Sequence, residues 1–354
     1  MRAAIIGTGG IAQTHAASIR ALGHTVALVA GHSLSSAETF ARKNGCDTFS
    51  NTLTAADLAD IDCVHICLPP EHHGEIIRLC LREGKNILCE KPLSLRPEEA
   101  EELAALAEER GVVAAVDFNN RFYPACTRIR GAVAEMDRVV LVQGHYRQEF
   151  HMLPAAYSWR YTDPLRATTE IGSHFIDLMR YLTGTEVEAV SAAFLNATPE
   201  RRVRGGIMYP DGEGTPLTVH SEDAALVTFR LSGGALAGAV FSEISPGRGN
   251  DLTMEISSTR DSVSWCSEQP YQTVTGRRGE GLTTRCNPFD GGFTDTFTDC
   301  FQAMYRAIET GERDPRLASF RDGAANAGIC DAIARSAASG GGFVETNYMD
   351  SRAK

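Results

Sequence analysis

The chain has no apolar run of 18 residues and no excess of positive charge. Across its 354 residues, 34 Lys and Arg stand against 45 Asp and Glu, which gives a formal net charge of −11. Because a transmembrane helix needs about 20 consecutive apolar residues, we expect no membrane span. An acidic chain repels phosphate groups on average, so we expect neither nucleic acid nor a membrane surface as a partner. The apolar run Ala3–Ile6 is too short for a signal peptide and leads straight into a glycine-rich turn.

The chain also lacks the cysteine spacings of a metal site or a disulfide framework. Its ten cysteines are scattered, without a Cys-x-x-Cys pair and without a Cys/His cluster at ligand spacing. Several lie in apolar runs, as Cys67 does directly after Val64, His65 and Ile66. Such thiols are typical of small buried side chains in a reducing compartment. We therefore predict no metal site and a cytoplasmic location.

The first 119 residues alternate apolar strands with amphipathic helices. Candidate strands are Ala3–Ile6, Thr25–Ala30, Cys63–Leu68, Asn86–Cys89 and Val112–Phe118, and the helices between them are Ile11–Leu22, Ser35–Asn44, Glu71–Glu83 and Pro97–Arg110. This alternation is typical of βαβ units, in which right-handed crossovers place helices on both faces of a parallel sheet. The fold class predicted for residues 1–119 is therefore α/β, with a doubly wound parallel sheet of the Rossmann type.

The pattern changes after Arg121, and residues 120–354 are predicted to form a second domain. Helices are expected at Ala125–Glu135, Ile171–Leu182, Thr294–Glu309 and Phe320–Ser339, and strands at Val139–Tyr146, Val187–Leu195, Ala224–Leu231, Ala235–Ser242, Leu252–Ser257 and Ser262–Ser267. Such runs favour an α+β domain with a large, mostly antiparallel open sheet. The stretch Ala197–His220 is rich in Gly, Pro and Arg and is predicted to be a long loop.

A glycine motif connects the first strand to the first helix. The residues Gly7, Thr8, Gly9, Gly10, Ile11 and Ala12 follow the pattern G-x-G-x-x-A. The first glycine permits a tight turn, the second lets the backbone approach a pyrophosphate, and the small last residue lets the helix pack on the strand. Free N–H groups and the helix dipole then hold the phosphates. We therefore predict a dinucleotide site, with a purely structural turn as the alternative.

The residues after the second strand bear on the choice between NAD and NADP. In dinucleotide-binding folds an Asp or Glu there binds the ribose 2′-hydroxyl of NAD, and an Arg accommodates the 2′-phosphate of NADP. Here the strand ends at Gly31, His32 and Ser33, which include neither a carboxylate nor an arginine. The missing carboxylate removes a repulsion, and His32 and Ser33 can donate to a phosphate. The expected cofactor is NAD or NADP, with a slight preference for NADP.

A lysine follows the predicted strand Asn86–Cys89, in the segment Glu90-Lys91-Pro92. Ligands of doubly wound sheets bind at the carboxyl ends of the strands, so Lys91 is expected at the ligand crevice. Its ammonium group can stabilise charge on a reacting oxygen. The alternative is an ordinary solvated lysine.

Several motifs together resemble one enzyme family, that of glucose–fructose oxidoreductase, inositol dehydrogenase and MocA. The similar segments are the glycine motif, Pro69-Pro70-Glu71-His72-His73, Glu90-Lys91-Pro92, Asn119-Asn120-Arg121-Phe122-Tyr123-Pro124, Trp159-Arg160 and Glu170-Ile171-Gly172-Ser173-His174. The resemblance covers nearly the whole chain. It implies a Rossmann domain followed by a second domain whose open sheet makes contacts in a homodimer or homotetramer.

The resemblance also implies a catalytic pair. Lys91 and His174 would flank the reacting carbon, with His174 as general acid/base and Lys91 polarising the reacting oxygen. The family usually has Asp four residues before this His, where this chain has Glu170, so Glu170 is expected to orient His174 or to bind a substrate hydroxyl. Further cofactor contacts are implied at a set of positions outside the glycine motif: Leu68, Pro69, His73, Glu90, Lys91, Asn119, Trp159 and Arg160.

The expected activity is hydride transfer between a nicotinamide cofactor and a hydroxyl-bearing carbon of a sugar, sugar derivative or polyol. One alternative is an NAD-dependent glycosidase, which oxidises the sugar transiently and then eliminates the aglycone. Another is a nonenzymatic dinucleotide-binding regulator, against which Lys91 and His174 argue. The run Arg201-Arg202-Val203-Arg204 is interpreted as a solvated face, with a clamp on an anionic substrate as the alternative.

Overall fold

The computed structural model describes residues 1–162, 164–286 and 293–348, and for Trp159 it describes the main chain alone. Contacts group the described residues into two compact units. The first contains residues 1–122 and 293–327, and the second contains residues 123–286 and 328–348. The last helix of the chain is divided between them after Ala327.

The first unit is built on a parallel sheet of six strands. Its elements are β1 (Arg2–Ile6), α1 (Gly10–Ala21), β2 (Thr25–Ala30), α2 (Leu34–Lys43), β3 (Phe49–Ser50), β4 (Cys63–Ile66), α3 (His73–Arg82), β5 (Asn86–Cys89), α4 (Pro97–Arg110) and β6 (Ala114–Val116). The strand order is β3-β2-β1-β4-β5-β6. The order reverses between β1 and β4, which is the switch point where such sheets bind ligands. The predicted doubly wound parallel sheet is confirmed, and the two-residue strand β3 was not predicted.

Alternate residues of β1 enter two separate hydrophobic cores. Ala4 and Ile6 pack with residues of α3 and α4, whereas Ala3 and Ile5 pack with residues of α1 and α2. Because successive strand residues point to opposite faces, this alternation requires helices on both sides of the sheet.

The second unit is built on a mixed sheet of nine strands and a smaller sheet. Its elements are α5 (Pro124–Ala134), β7 (Leu141–Arg147), β8 (Ala155–Ala156), α6 (Ser173–Thr183), β9 (Val187–Leu195), β10 (Glu200–Arg204), β11 (Ile207–Tyr209), β12 (Thr215–Thr218), β13 (Ala224–Leu231), β14 (Leu236–Ser242), β15 (Asp251–Ser257), β16 (Asp261–Cys266), β17 (Gln272–Arg277) and β18 (Thr283–Cys286). After α7 (Phe293–Thr310) in the first unit come α8 (Phe320–Ala338) and β19 (Val344–Glu345).

The larger sheet has the order β18-β17-β16-β15-β7-β14-β13-β9-β19. Its neighbouring strands are antiparallel except for the parallel pair β7 and β14. One face packs against α5, α6 and the second half of α8 in a single core. The predicted large, mostly antiparallel sheet is therefore confirmed.

The prediction of a long loop at Ala197–His220 is wrong. This stretch contains β10, β11 and β12, which join β8 in a four-stranded antiparallel sheet. Arg204 pairs with Ile207, so Gly205 and Gly206 form a two-residue turn with φ of 59° and 78°. A Gly-Gly pair at this position is a strong signal for a tight hairpin. The high content of glycine suggested a loop, although the Gly205–Gly206 turn itself indicates a hairpin of two strands.

Within the described residues, no helix is both long and apolar enough to cross a membrane. All ten cysteines are free thiols, and eight of them are buried.

Candidate active site

The glycine motif has the geometry of a phosphate-binding turn. Gly7 has φ of 111°, and a Cβ atom there would lie 2.4 Å from the carbonyl oxygen of Cys67. Only glycine fits this position. Gly9 is the N-cap of α1 and supplies no side chain to cap it, and apart from its chain neighbours no described atom lies within 4 Å of where its Cβ would be. The first N–H groups of α1 therefore receive no side-chain cap from Gly9, which suits an anionic ligand at this helix N-terminus.

The residues after β2 belong to a helix cap. The Ser33 hydroxyl accepts a hydrogen bond from the Ser36 N–H at 3.2 Å, and the Ser36 hydroxyl lies 3.3 Å from the Ser33 N–H. His32 Nδ1 lies 3.4 Å from the Ser36 hydroxyl. A Cβ at Gly31 would lie 2.9 Å from that same oxygen. His32 and Ser33 both contact Ser36, and none of the residues from Gly31 to Ser33 is a carboxylate or an arginine that could bind a ribose or a phosphate.

His73 connects two loops at the carboxyl ends of β4 and β5. Its Nε2 lies 2.9 Å from the Leu68 carbonyl oxygen, and its Nδ1 lies 3.0 Å from that of Pro92. The ring is fully buried, and burial lowers its pKa. His73 therefore fixes the turn at Leu68 and Pro69 relative to the loop that follows Lys91. This role was not recognised in the sequence.

Glu90 lies between Lys91 and the helix of the glycine motif. One carboxylate oxygen is 3.3 Å from the Lys91 N–H, and the other is 3.0 Å from His15 Nε2. Glu90 is buried, while Lys91 is partly exposed. Asn119 is also buried, and its side-chain amide donates to the Thr296 hydroxyl of α7 at 2.7 Å. The structure thus joins Lys91, through Glu90, to the helix that follows the glycine motif.

In the second unit, His174 lies in the first turn of α6. The segment before it, Thr168–Gly172, is a π-helix that contains Glu170. A π-helix has a wider turn than an α-helix, so the spacing from Glu170 to His174 differs from that of a regular α-helix. The Glu170 carboxylate accepts a hydrogen bond from Arg160 Nε at 2.9 Å. Arg160 belongs to the 3₁₀ turn Trp159–Tyr161, and the side chain of Trp159 lies outside the described residues.

Tyr146 lies beside His174 and belongs to a group of polar side chains. The ring centroids of Tyr146 and His174 are 6.2 Å apart. The Tyr146 hydroxyl donates to the side-chain oxygen of Asn250 at 2.6 Å, and the Gln148 amide donates to the same oxygen at 2.8 Å. These neutral donors and acceptors suit a ligand with several hydroxyl groups. Tyr146 and Gln148 were missed in the sequence, because the end of strand β7 carries no motif.

For Arg201, both interpretations of the arginine run are wrong. Its side chain does not face solvent, and it is not available to bind a substrate. It is fully buried, and its guanidinium lies 3.0 Å from Asp223. Arg166 is equally buried and pairs with Asp223 and, at 2.9 Å, with Glu243. Buried charges are tolerated when they are paired in this way. The cluster also holds the ring of Tyr161 beneath both guanidinium groups, and so fixes the turn that carries Arg160.

The fold of the first unit and its uncapped glycine turn define a dinucleotide-binding oxidoreductase. The model of the oxidoreductase family with an NAD-binding Rossmann fold, GFO_IDH_MocA, matches residues 1–118. The model of the C-terminal domain of the same family matches residues 132–264. The chain belongs to this family, as the motifs predicted, and it is a nicotinamide-dependent oxidoreductase that binds NAD(H).

Relatives with known activities support this assignment. Levoglucosan dehydrogenase of Pseudarthrobacter phenanthrenivorans is 32% identical over 315 residues, which cover 80% of this chain and 79% of that protein. Inositol 2-dehydrogenase 2 of Saccharopolyspora erythraea is 28% identical, covering 85% of this chain and 81% of the relative. A solved structure of levoglucosan dehydrogenase in complex with NADH and L-sorbose superposes with a TM-score of 0.91 at 26% identity, covering 98% and 99% of the two chains.

Proposed function

We propose that this chain oxidises a secondary hydroxyl of a cyclic sugar, anhydrosugar or polyol. The observation that carries the proposal is the polar group beside His174, in which Tyr146 and Gln148 both donate to Asn250. These side chains offer hydrogen bonds without a net charge. The buried Arg201 is committed to Asp223, so a neutral substrate fits better than an anionic one. The levoglucosan and inositol dehydrogenases among the relatives act on neutral cyclic polyols, in agreement with this choice.

In the proposed reaction, His174 takes the proton of the substrate hydroxyl as general base. Histidine suits this task because its side chain titrates near neutral pH. Lys91 donates a hydrogen bond to the same oxygen and stabilises the negative charge that develops there. Bound NAD supplies the hydride acceptor. The glycine motif and α1 would hold the pyrophosphate, and Leu68, Pro69, Glu90 and Asn119 are the further positions proposed for cofactor contacts.

Glu170 and Arg160 have a supporting role in this proposal. Their ion pair, at 2.9 Å, joins the turn at Trp159–Tyr161 to the π-helix that precedes His174. Loss of the pair would let the start of α6 shift, and the geometry of proton transfer is sensitive to such shifts. We therefore assign Glu170 to positioning His174.

A substrate panel tests the proposed function. Purified protein is mixed with NAD and with levoglucosan, the inositols, glucose or aryl glycosides, and both reduced nicotinamide and released aglycone are measured. We expect reduced nicotinamide with at least one cyclic polyol. Release of aglycone without net reduction would instead establish the glycosidase.

We further propose that the enzyme discriminates only weakly between NAD and NADP, with the slight preference for NADP that the missing carboxylate favours. Gly31, His32 and Ser33 provide no acidic group to bind the ribose of NAD or to repel a 2′-phosphate. The ratio of kcat/KM for the two cofactors is expected to lie within about 100-fold of unity, or about 2.7 kcal/mol. A larger preference for NAD would show that the residues after β2 do select NAD over NADP.

The outer face of the large sheet is the proposed contact surface of a homodimer or homotetramer. Four of its apolar residues are between 37% and 57% exposed, namely Leu141, Leu226, Leu236 and Val240. They are neighbours, because Leu226 pairs with Val240 and Leu236 pairs with Leu141. Adjacent exposed apolar residues are typical of interfaces. Leu226→Glu is expected to reduce the assembly to a monomer in sedimentation velocity, and an unchanged mass would refute this surface.

A further inference from the structure

A buried cluster of one imidazole and two carboxylates lies under the carboxyl edge of the parallel sheet. It consists of His15 on α1, Glu90 after β5 and Asp117 after β6, all at most 9% exposed. His15 Nε2 is 3.0 Å from a Glu90 oxygen and 3.4 Å from an Asp117 oxygen. Within the described part of the chain, neither Asp117 oxygen has a hydrogen-bond partner of standard geometry. A buried carboxylate so poorly solvated is readily protonated.

The proton content of this cluster follows from its surroundings. Burial alone lowers the pKa of His15, but the neighbouring Cys67, Asp117 and Glu90 together raise it well above its usual value. Burial raises the pKa of the Cys67 thiol, so the hydrogen bonds to Asp117 and Glu90, rather than a thiolate, favour the protonated imidazole. Burial also raises the pKa of Asp117 to about 6, although His15 opposes the rise. Asp117 is therefore the carboxyl group of the cluster whose pKa burial shifts toward neutral pH.

The remaining titratable or charged groups around the cluster keep a fixed charge at neutral pH. Burial raises the pKa of the Cys89 and Cys300 thiols well above the usual value, and it lowers the pKa of His65 far below neutrality. Arg121, which faces Cys300, keeps its charge. His65 Nδ1 lies 3.0 Å from His15 Nδ1, and its Nε2 lies 2.7 Å from the Tyr305 hydroxyl.

His15, His65 and Tyr305 form a row of hydrogen-bonded side chains, and this row gives the cluster a route to solvent. Tyr305 lies on α7 and lines a surface pocket of about 590 Å³ together with His24 and Arg306. His15 and His65 both pack against Phe301, which excludes water around the row. A proton can therefore exchange along His15, His65 and Tyr305, although all three side chains are buried.

The cluster lies at the edge where a doubly wound sheet binds its dinucleotide, and Glu90 adjoins Lys91. We propose that the cluster of His15, Glu90 and Asp117 takes up one proton when the bound cofactor changes from NAD⁺ to NADH. The nicotinamide ring carries a positive charge in NAD⁺ and none in NADH. If the ring binds near Lys91, the negative cluster would balance the positive charge of NAD⁺, and a protonated cluster would match the neutral ring of NADH. The proposal goes beyond the activity proposed above and does not depend on the roles of Lys91 or His174.

The coupling has a definite sign. With NAD⁺ bound, the positive ring lowers the proton affinity of the cluster, so its apparent pKa is lower than with NADH bound. As the pH rises between these two pKa values, the affinity for NAD⁺ relative to NADH increases. The increase is about tenfold for each unit by which the two pKa values differ. Phosphate and ribose groups are the same in both cofactors, so their own titration cancels in the ratio.

Isothermal titration calorimetry measures this coupling directly. NAD⁺ and NADH are each titrated into the protein between pH 5.5 and 8, in pairs of buffers with different ionisation enthalpies. We expect NADH binding to take up more protons than NAD⁺ binding near pH 6 to 7, with a difference of about half a proton or more. Equal proton uptake for the two cofactors over the whole pH range would overturn the proposal.

Two variants assign the proton to the cluster. Asp117→Asn should abolish the difference in proton uptake, whereas His174→Gln should retain it. The opposite pattern would place the exchangeable proton on His174 and overturn the proposal. If Asp117→Asn does not fold, difference infrared spectra of the wild-type NADH and NAD⁺ complexes provide a second measurement. The carbonyl stretch of a protonated carboxylic acid should appear in the NADH complex, and its absence would also overturn the proposal.

Discussion

Replacing either Lys91 or His174 by alanine is expected to lower kcat by roughly 10²–10⁴-fold, the usual contribution of general acid–base assistance. In the proposed mechanism, His174→Ala removes the base that takes the hydroxyl proton, and Lys91→Ala removes the donor to the developing alkoxide. If both groups act on one oxygen as proposed, the double variant should lose less than the product of the two single losses. Steady-state kinetics on the substrate found in the panel gives these values.

Controls separate this catalytic effect from a loss of structure or of cofactor. Lys43→Ala, at an exposed position near the end of α2, should leave kcat unchanged. NADH affinity, measured by fluorescence titration, should change little in the two alanine variants, because the phosphate-binding turn is intact. A His174→Ala enzyme with a near-normal rate would remove His174 from the mechanism.

The second large effect is expected at Gly9. Gly9→Val should weaken NADH binding by more than about 100-fold, because the branched side chain fills the space that the pyrophosphate needs. The protein itself should stay folded, since apart from the chain neighbours of Gly9 no described atom lies within 4 Å of the added Cβ. Calorimetric titration with NADH and a thermal melt of the same sample measure the two properties separately.

Two other glycines provide the comparison. Gly131→Ala, in the middle of α5 and also in open space, should leave both NADH binding and folding intact. Gly7→Ala should instead destabilise the fold, because its Cβ would collide with the Cys67 carbonyl at a positive φ. Tight NADH binding by a folded Gly9→Val protein would show that the pyrophosphate does not lie over this turn.

The fold was largely predictable from the sequence because its strands and helices have distinct periodicities. In the first unit, strands such as β2 read as continuous apolar runs from Val26 to Ala30, and the glycine motif marks the first turn between strand and helix. The two-residue strand β3 carries no such pattern and was missed. In the second unit, the composition of Ala197–His220 suggested a loop, whereas the Gly205–Gly206 turn would have indicated a hairpin.

The candidate site was predictable only where it has a local motif. The glycine motif, Glu90-Lys91 and the segment around His174 each have a sequence signature. His15 and Asp117 have none, because tertiary structure brings α1, β5 and β6 together around them. For Arg201 the sequence predicted an exposed side chain, because a charged run on a strand normally faces solvent. The ion pair with Asp223 instead keeps this side chain buried.

The central claim is that this chain moves a hydride from a hydroxyl-bearing carbon to nicotinamide. The direct test uses levoglucosan and an inositol that carry deuterium on their hydroxyl-bearing carbons, incubated with the protein and NAD, followed by mass spectrometry of the cofactor and the sugar. The account predicts reduced nicotinamide that is one mass unit heavier, together with an equal amount of the keto product. Reduced nicotinamide without deuterium, or no reduction with any member of the panel, would contradict it.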